Sequence, residues 1–249
     1  MRDHPFSPMR TDEIPGYIIG SVHETDRLAH IKTLQASLPT LQYVEAVYPA
    51  YERVPFLAAL KNRSLERTGH ALSDGELGCL LSHRSVWRKI VTADVDEDQL
   101  FLILESDSAF ANLSLLKTGF QSVAGHYDLF FWGAWEGHMK LYRSTRKQLA
   151  EGFDIGEPYL KSVYCTYGYA VNKKAAALLL KATRKVAYPV DQFKYFMHIE
   201  TLRIGGVYPE LIVTNGRETS YIQTNRNRFK EFFVWLVLDV RNSIVCYFK

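Results

Sequence analysis

Leu100–Leu104, LFLIL, is an apolar run with no polar break, and it stops at Glu105-Ser106-Asp107. A run of strand length with no solvent face reads as a strand covered on both sides. Covering both faces takes helices, and the flanking sequence supplies them. YIIGSV, Tyr17–Val22, is rich in β-formers, follows Pro15 and Gly16, and reads as the first strand. Residues 24–37 read as a helix ended by Pro39, and LQYVEAV, Leu41–Val47, as a second strand. Ser73 with Glu76 three residues on has the capping-box pattern of a helix start. After LFLIL as third strand, DLFFWG (Asp128–Gly133) reads as a fourth and SVYCTYGYAV (Ser162–Val171) as a fifth. Asn172 then caps a helix over KKAAALLLKAT, and GGVYPELIV, Gly205–Val213, is a late strand. This alternation predicts an α/β fold with a mixed, mostly parallel sheet flanked by helices.

The chain has 249 residues, 47% apolar and 23% charged, with a formal net charge of +3. That suits one globular domain with a short extension, divided here as 1–225 and 226–249. So small a charge, with no basic block interleaved with aromatics, gives no argument for nucleic acid, and none is expected as a partner. Cys79, Cys165 and Cys246 are far apart, show no metal or redox spacing, and read as reduced thiols. No signal-peptide h-region precedes the first strand, and no run reaches the roughly 18 apolar residues of a membrane span. The expectation is a cytoplasmic protein.

Ligands of open α/β sheets gather at the carboxyl ends of the strands, where Glu105 and Asp107 lie. In extended chain their i, i+2 spacing points both side chains the same way. Two hard oxygen donors suit Mg²⁺ or Mn²⁺ carrying a phosphate; the same pattern also describes a solvated turn. DVDED, Asp94–Asp98, precedes the strand, falls at the opposite sheet edge and reads as a solvated loop. From Glu76, helical spacing puts Leu80, His83, Trp87 and Ile90 on one stripe. Glu76 and His83 share that face, either as groups presented to a ligand or as a capping glutamate and a hydrogen-bonded core histidine.

GELGCLLSHRSVWRKIV, LFLILESDSAF and TYGYAVNKKAAALLL occur in that order. Together they resemble the signature blocks of glycosyltransferase family 25: G-E-x-G-C-x-x-S-H, then L-E-D-D-A, then a G-Y-x-x-x-x-x-A helix start. YIIGSVHETDRLAHI resembles the family's first strand and its Asp-Arg pair, here Asp26 and Arg27; PVDQF, Pro189–Phe193, resembles a later element. The resemblance covers about residues 14 to 225. It implies a GT-A-like, Rossmann-like fold with a nucleotide-sugar donor and Mn²⁺ or Mg²⁺ at a D-x-D-type motif. It implies inverting transfer of a hexose, most often galactose from UDP-galactose, to a lipooligosaccharide or related glycan. On that mapping Glu105 and Asp107 are the metal ligands, and Arg27, Glu76, His83, Ser106 and Tyr167 belong to the donor site. Ser106 stands where the family has an acid. If Glu105 and Asp107 face the metal, the change costs little. If the middle acid is the main ligand or binds the donor ribose, activity is weakened or absent, and the alternative is a non-catalytic nucleotide-sugar-binding protein. An unrelated α/β protein binding another phosphate ligand is the third reading, and nucleotide preference separates it from the other two.

Inverting transfer needs a group that takes the acceptor hydroxyl's proton. Asp191, in YPVDQFKYF, is expected as that base or as an acceptor-binding residue, with an N-cap as the alternative and Glu136 as the reserve candidate. Phe131, Trp132, Trp135, Tyr164, Tyr167 and Tyr169 crowd these segments, as core or as stacking surface for sugar and uracil. Trp135 and Tyr167, beside glycines, are the rings expected to be exposed. No histidine follows His198, so a late histidine ligand is lacking and the third metal ligand is unassigned. The final stretch, NRNRFKEFFVWLVLDVRNSIVCYFK, reads in two ways. It is a helix packed on the domain, or an amphipathic helix on the inner membrane face held by Arg226, Arg228 and Lys230 against anionic lipid.

Overall fold

The first described strand, β1 (Gly16–Gly20), leads into α1 (Thr25–Ser37), β2 (Leu41–Glu45), α2 (Leu57–Thr68) and α3 (Asp74–Thr92). β3 (Phe101–Glu105), β4 (Ser108–Phe110), α4 (Leu113–Val123) and β5 (Leu129–Gly133) follow. A hairpin, β6 (Lys147–Ala150) and β7 (Phe153–Gly156), precedes β8 (Gly168–Val171) and α5 (Lys173–Ala182); β9 (Ile204–Tyr208), β10 (Ile212–Thr214) and α6 (Arg228–Phe248) come last. The computed structural model describes residues 13–134, 138–195, 201–215 and 228–248, with side chains of α6 described from Leu236 onward. Trp135, Glu136, His198 and Arg226, and the side chains of Arg228 and Lys230, lie outside the described residues.

The expected caps form. Ser73 Oγ accepts the Glu76 N–H at 3.2 Å while Glu76 Oε2 accepts the Ser73 N–H at 2.7 Å, and Asn172 Oδ1 accepts the Ala175 N–H at 2.9 Å. Local sequence therefore fixes where α3 and α5 start. α2, α4, β4 and the β6–β7 hairpin were not expected. The hairpin is mostly half-buried, with Lys147 and Gln148 exposed, and it lacks the apolar run that marks β3.

The large sheet runs β2-β1-β3-β8-β5-β9-β7-β6, and β10 pairs with β4 in a separate ribbon. β1 pairs in parallel with β2 and β3, and β5 in parallel with β9. β8 is antiparallel to both β3 and β5, and β7 to both β9 and β6. The fold is α/β with a mixed sheet, as expected, but antiparallel pairs outnumber parallel ones. The antiparallel pairs come from β8, which enters between β3 and β5 in the opposite sense, and from β7, which is antiparallel to both of its neighbours. Alternation of strands and helices alone does not reveal such an insertion.

β3 has the double coverage its apolar run requires. Phe101 and Ile103 pack with Leu80, Trp87 and Ile90 of α3 and Leu179 of α5. Leu102 and Leu104 pack with Ile31 and Leu34 of α1 and Phe120 of α4. Each such fully buried side chain contributes about 1.5–3 kcal/mol, so β3 is a rigid base for whatever follows Leu104. After β1 the chain steps to β2 on one side and then to β3 on the other. The carboxyl ends of β1 and β3 thus form the crevice at which open α/β sheets bind ligands.

Candidate active site

A cleft of about 320 Å³ opens at that crevice. Gly20 ends β1; Glu24 and Arg27 come from the start of α1; Ala46–Ala50 follow β2; Asp74, Gly75, Cys79, Ser82 and His83 come from α3; Glu105, Ser106 and Asp107 follow β3. Gly78 lets α3 close against this wall, because a Cβ there would meet the Val47 carbonyl oxygen at 2.5 Å.

The strand-end acids do not project as an extended chain would place them. Residues 106–107 form a turn between β3 and β4, pinned by the buried Ser108 hydroxyl, which accepts the Glu105 N–H at 3.0 Å. All three residues of the motif therefore line the cleft, in different directions. Glu105 Oε1 turns toward α3 and accepts hydrogen bonds from His83 Nε2, at 3.2 Å, and from Thr166 Oγ1. Asp107 Oδ2 lies 3.8 Å from Arg27 Nη1. Ser106 Oγ accepts from Arg27 Nη1 at 2.9 Å and donates to Glu24 Oε2 at 3.0 Å. Ser106 thus faces the cleft, not away from it.

Behind Glu105 runs a buried chain of hydrogen bonds. Trp87 Nε1–H donates to Tyr169 Oη at 2.9 Å, which leaves the Tyr169 proton for His83 Nδ1 at 2.8 Å. With the Tyr169 hydroxyl donating to Nδ1, a neutral His83 carries its proton on Nε2, directed at Glu105. Burial works against the Glu105 carboxylate, but the bonds from His83 and Thr166 and the charge of Arg27 outweigh it and hold its pKa below the ordinary value. Burial, reinforced by the charges of Glu105, Asp191 and Asp107, pushes the Cys79 thiol well up, which makes it a poor nucleophile.

Asp191 lies in a turn just before the 3-10 turn Phe193–Tyr195. Its Oδ1 is buried with no hydrogen-bond partner among the described residues, so the side chain is not serving as an N-cap through that atom. Burial, with the carboxylates of Glu105 and Glu76 near it, raises its pKa to about 6. Asp191 is not among the residues that line the cleft, although the charges of Glu105, Glu76 and His83 act on it.

Of the residues singled out in the sequence, Arg27, His83, Glu105, Ser106 and Asp107 come together in the cleft. Glu76 is spent on the capping box and is not part of the lining. Tyr167, expected to be exposed, is 2% exposed. Its ring packs on Gly133 and its hydroxyl donates to Glu210 Oε2 at 2.6 Å, because the neighbouring glycine makes room for the ring instead of uncovering it. Phe131, Trp132 and Tyr169 are buried core. Glu24, Cys79 and Thr166 were missed. Cys79 had a visible signal, since it precedes His83 by four residues and so shares a helix face with it. DVDED is solvated as expected, with Asp98 and Glu97 on exposed ion pairs.

The sheet order and the cleft at the strand ends define a GT-A-like α/β fold. A sequence profile described as glycosyltransferase family 25 (LPS biosynthesis protein) matches residues 13–194, and the chain belongs to that family. It is similar to procollagen galactosyltransferase 1 of Danio rerio, 30% identical over 142 residues that cover 52% of this chain and 21% of the relative. It is also similar to a glycosyltransferase 25 family member of Drosophila pseudoobscura pseudoobscura, 31% identical over 138 residues that cover 49% and 19%. The matched part spans about a fifth of the length of these curated relatives.

Proposed function

We propose that this chain is an inverting, metal-dependent hexosyltransferase that moves galactose from UDP-galactose to a lipooligosaccharide or related glycan. The observation that carries the reading is the convergence of Glu24, Glu105 and Asp107 with Arg27 in one cleft at the strand ends. The donor chemistry fits Mn²⁺ or Mg²⁺ at Glu105 and Asp107. Both hydrogen bonds to the Glu105 carboxylate fall on Oε1, leaving Oε2 open on a side chain that is 28% exposed, and Asp107 is 26% exposed. Bound there, the cation would neutralise charge building on the diphosphate leaving group.

The protein's own groups carry the remaining steps. Arg27 and the start of α1 offer positive charge to the donor's phosphates. Glu24 beside Ser106 supports the enzyme reading over the non-catalytic one, since it returns a carboxylate to the position where the family's middle acid is missing. Transfer forms a bond from the acceptor oxygen to the anomeric carbon and breaks the bond to UDP. The acceptor's proton goes to a carboxylate, for which we assign Asp191; with a pKa of about 6 it is mostly ionised at neutral pH yet basic enough to accept. Residues 226–249 are read as an extension of the 1–225 domain that rests on the cytoplasmic membrane face and brings a lipid-linked acceptor within reach. No helix among the described residues is long and apolar enough to cross a membrane.

Release of UDP from UDP-galactose, with Mn²⁺ and with EDTA, tests this without knowledge of the acceptor. Metal-dependent release that disappears in Asp107→Ala is expected. UDP binding without release, even when glycan acceptors are supplied, would instead favour the non-catalytic reading that Ser106 raises.

A further inference from the structure

Cys79, His83 and Glu105 each offer one ligand atom, and the three atoms lie within 4.8 Å of one another. Cys79 and His83 project from one face of α3, four residues apart, and Glu105 reaches them from the end of β3. We propose that these residues form a site for a thiolate-seeking divalent cation of the zinc class, set in the floor of the cleft. It goes beyond the hexosyltransferase reading, whose hard cation belongs to the diphosphate side.

The spacing suits such an ion. His83 Nε2 and Glu105 Oε1 are 3.2 Å apart. With metal–ligand bonds of about 2.0–2.2 Å, two ligands of one tetrahedral ion stand about 3.3–3.5 Å apart. The cation therefore takes the place of the proton that now joins His83 to Glu105, and Cys79 closes in by a small side-chain movement. His83 then donates from Nδ1 to Tyr169 Oη, already 2.8 Å away and fixed by Trp87. A ligating histidine oriented through its other nitrogen is the usual arrangement. All three ligands line the cleft, so the ion has a way in.

Charge points the same way. Thiolate and carboxylate together match a divalent cation. Asp191 adds a carboxylate oxygen buried with no hydrogen-bond partner among the described residues; its charge acts on Cys79, and the charge of Glu105 acts on it. A sulfur, nitrogen and oxygen donor set selects Zn²⁺ or Co²⁺ over Mg²⁺ and Mn²⁺. Held from behind through Oε1, Glu105 would keep Oε2 for the cleft.

The test is a Co²⁺ titration of the full chain, purified without chelator and then stripped, read by absorption. One equivalent of Co²⁺ should give a near-ultraviolet thiolate-to-cobalt band that one equivalent of Zn²⁺ abolishes and a hundredfold excess of Mg²⁺ leaves in place. The band should vanish in Cys79→Ser. Should that variant not fold, the Cys165→Ser/Cys246→Ser double variant assigns the band by elimination, since the chain has three cysteines. A saturating titration of wild type without the band overturns the proposal, as does a band that survives Cys79→Ser or is lost in the double variant. Neither donor sugar nor turnover enters, so failure here leaves the transferase reading standing.

Discussion

The Ser106 hydroxyl bridges two charges: it donates to Glu24 Oε2 at 3.0 Å and accepts from Arg27 Nη1 at 2.9 Å. A carboxylate from the β1–α1 connection thus stands beside the one residue of the acid motif that departs from the family pattern. Restoring the acid is then not a simple gain. Ser106→Asp brings a second carboxylate against Glu24 in a mostly buried position, and should destabilise the fold by about 1–2 kcal/mol. Adding Glu24→Gln should recover most of that loss, a coupling of about 1 kcal/mol or more in a double-mutant cycle of urea melts. Strict additivity would mean that the two side chains do not share the site.

Asp191 offers a test in which stability and activity move in opposite directions. Its folded-state pKa, about 6, lies above the ordinary 3.8, so between those values the native state binds more protons than the unfolded chain. Stability therefore falls as pH rises through about 6, and the cost is fully present above it. Asp191→Asn removes that cost. At pH 8 the variant should be more stable by on the order of 1–3 kcal/mol, a rise of several degrees in Tm, and at pH 4 the gain should be gone. Transfer should be abolished while UDP still binds. Retained turnover would give the role of base to another group, and an unchanged Tm at pH 8 would show that the carboxylate is not strained.

The difference between what was legible and what was not follows from range. LFLIL announced β3 and its double coverage, and Ser73, Glu76 and Asn172 announced two helix starts, because those signals sit within a turn or a strand of the chain. The crowding of Arg27, His83 and Asp107 at one strand end was legible through the order of the motifs. Glu24 meeting Ser106, and Thr166 meeting Glu105, are contacts between residues 82 and 61 positions apart. No local pattern encodes them. The direction of β8, which puts Thr166 over Glu105, was likewise invisible, and period-two reasoning failed at Ser106 because the strand turns there.

Asp128, read only as the start of a strand, holds together the sheet end opposite the cleft. It is buried, with Lys174 Nζ at 2.9 Å, Arg203 Nη2 at 2.7 Å, the Arg203 N–H at 2.9 Å and Asn172 Nδ2 at 3.0 Å. Burial alone would raise its pKa, but these donors outweigh it and depress the pKa far below the carboxylate range. A depressed acid contributes stability that is present above its unfolded pKa and lost as pH falls toward its folded one. Asp128→Ala should cost about 3–5 kcal/mol at pH 7, since it strips a buried network of its acceptor. Its deficit should shrink steadily below about pH 4, where wild type loses the same contribution. Thermal melts from pH 7 to pH 3 read both; a deficit independent of pH would mean that packing, and not the ionised carboxylate, is what the substitution removes.

α6 resolves into two faces. Asp239 accepts from His138 Nδ1 at 3.0 Å and from Lys140 Nζ at 2.9 Å, while Asn242 and Cys246 are buried, so that side is packed on the domain. Leu236, Val240 and Ile244 form a stripe on the other side, 50%, 53% and 54% exposed, with Phe248 one turn further on at 81%. The two sequence readings of this segment are therefore compatible, since a helix anchored by one face can rest on lipid by the other. Replacing Leu236, Val240 and Ile244 together by Gln leaves the anchoring face intact, whereas truncation would strip Asp239 from His138 and Lys140. The triple variant should keep its Tm within a degree or two and its donor hydrolysis. It should lose at least tenfold in cosedimentation with anionic vesicles, because three apolar side chains are removed from the contact. Undiminished vesicle binding would assign this face to something other than lipid, and a large fall in Tm would show that the stripe is covered within the protein.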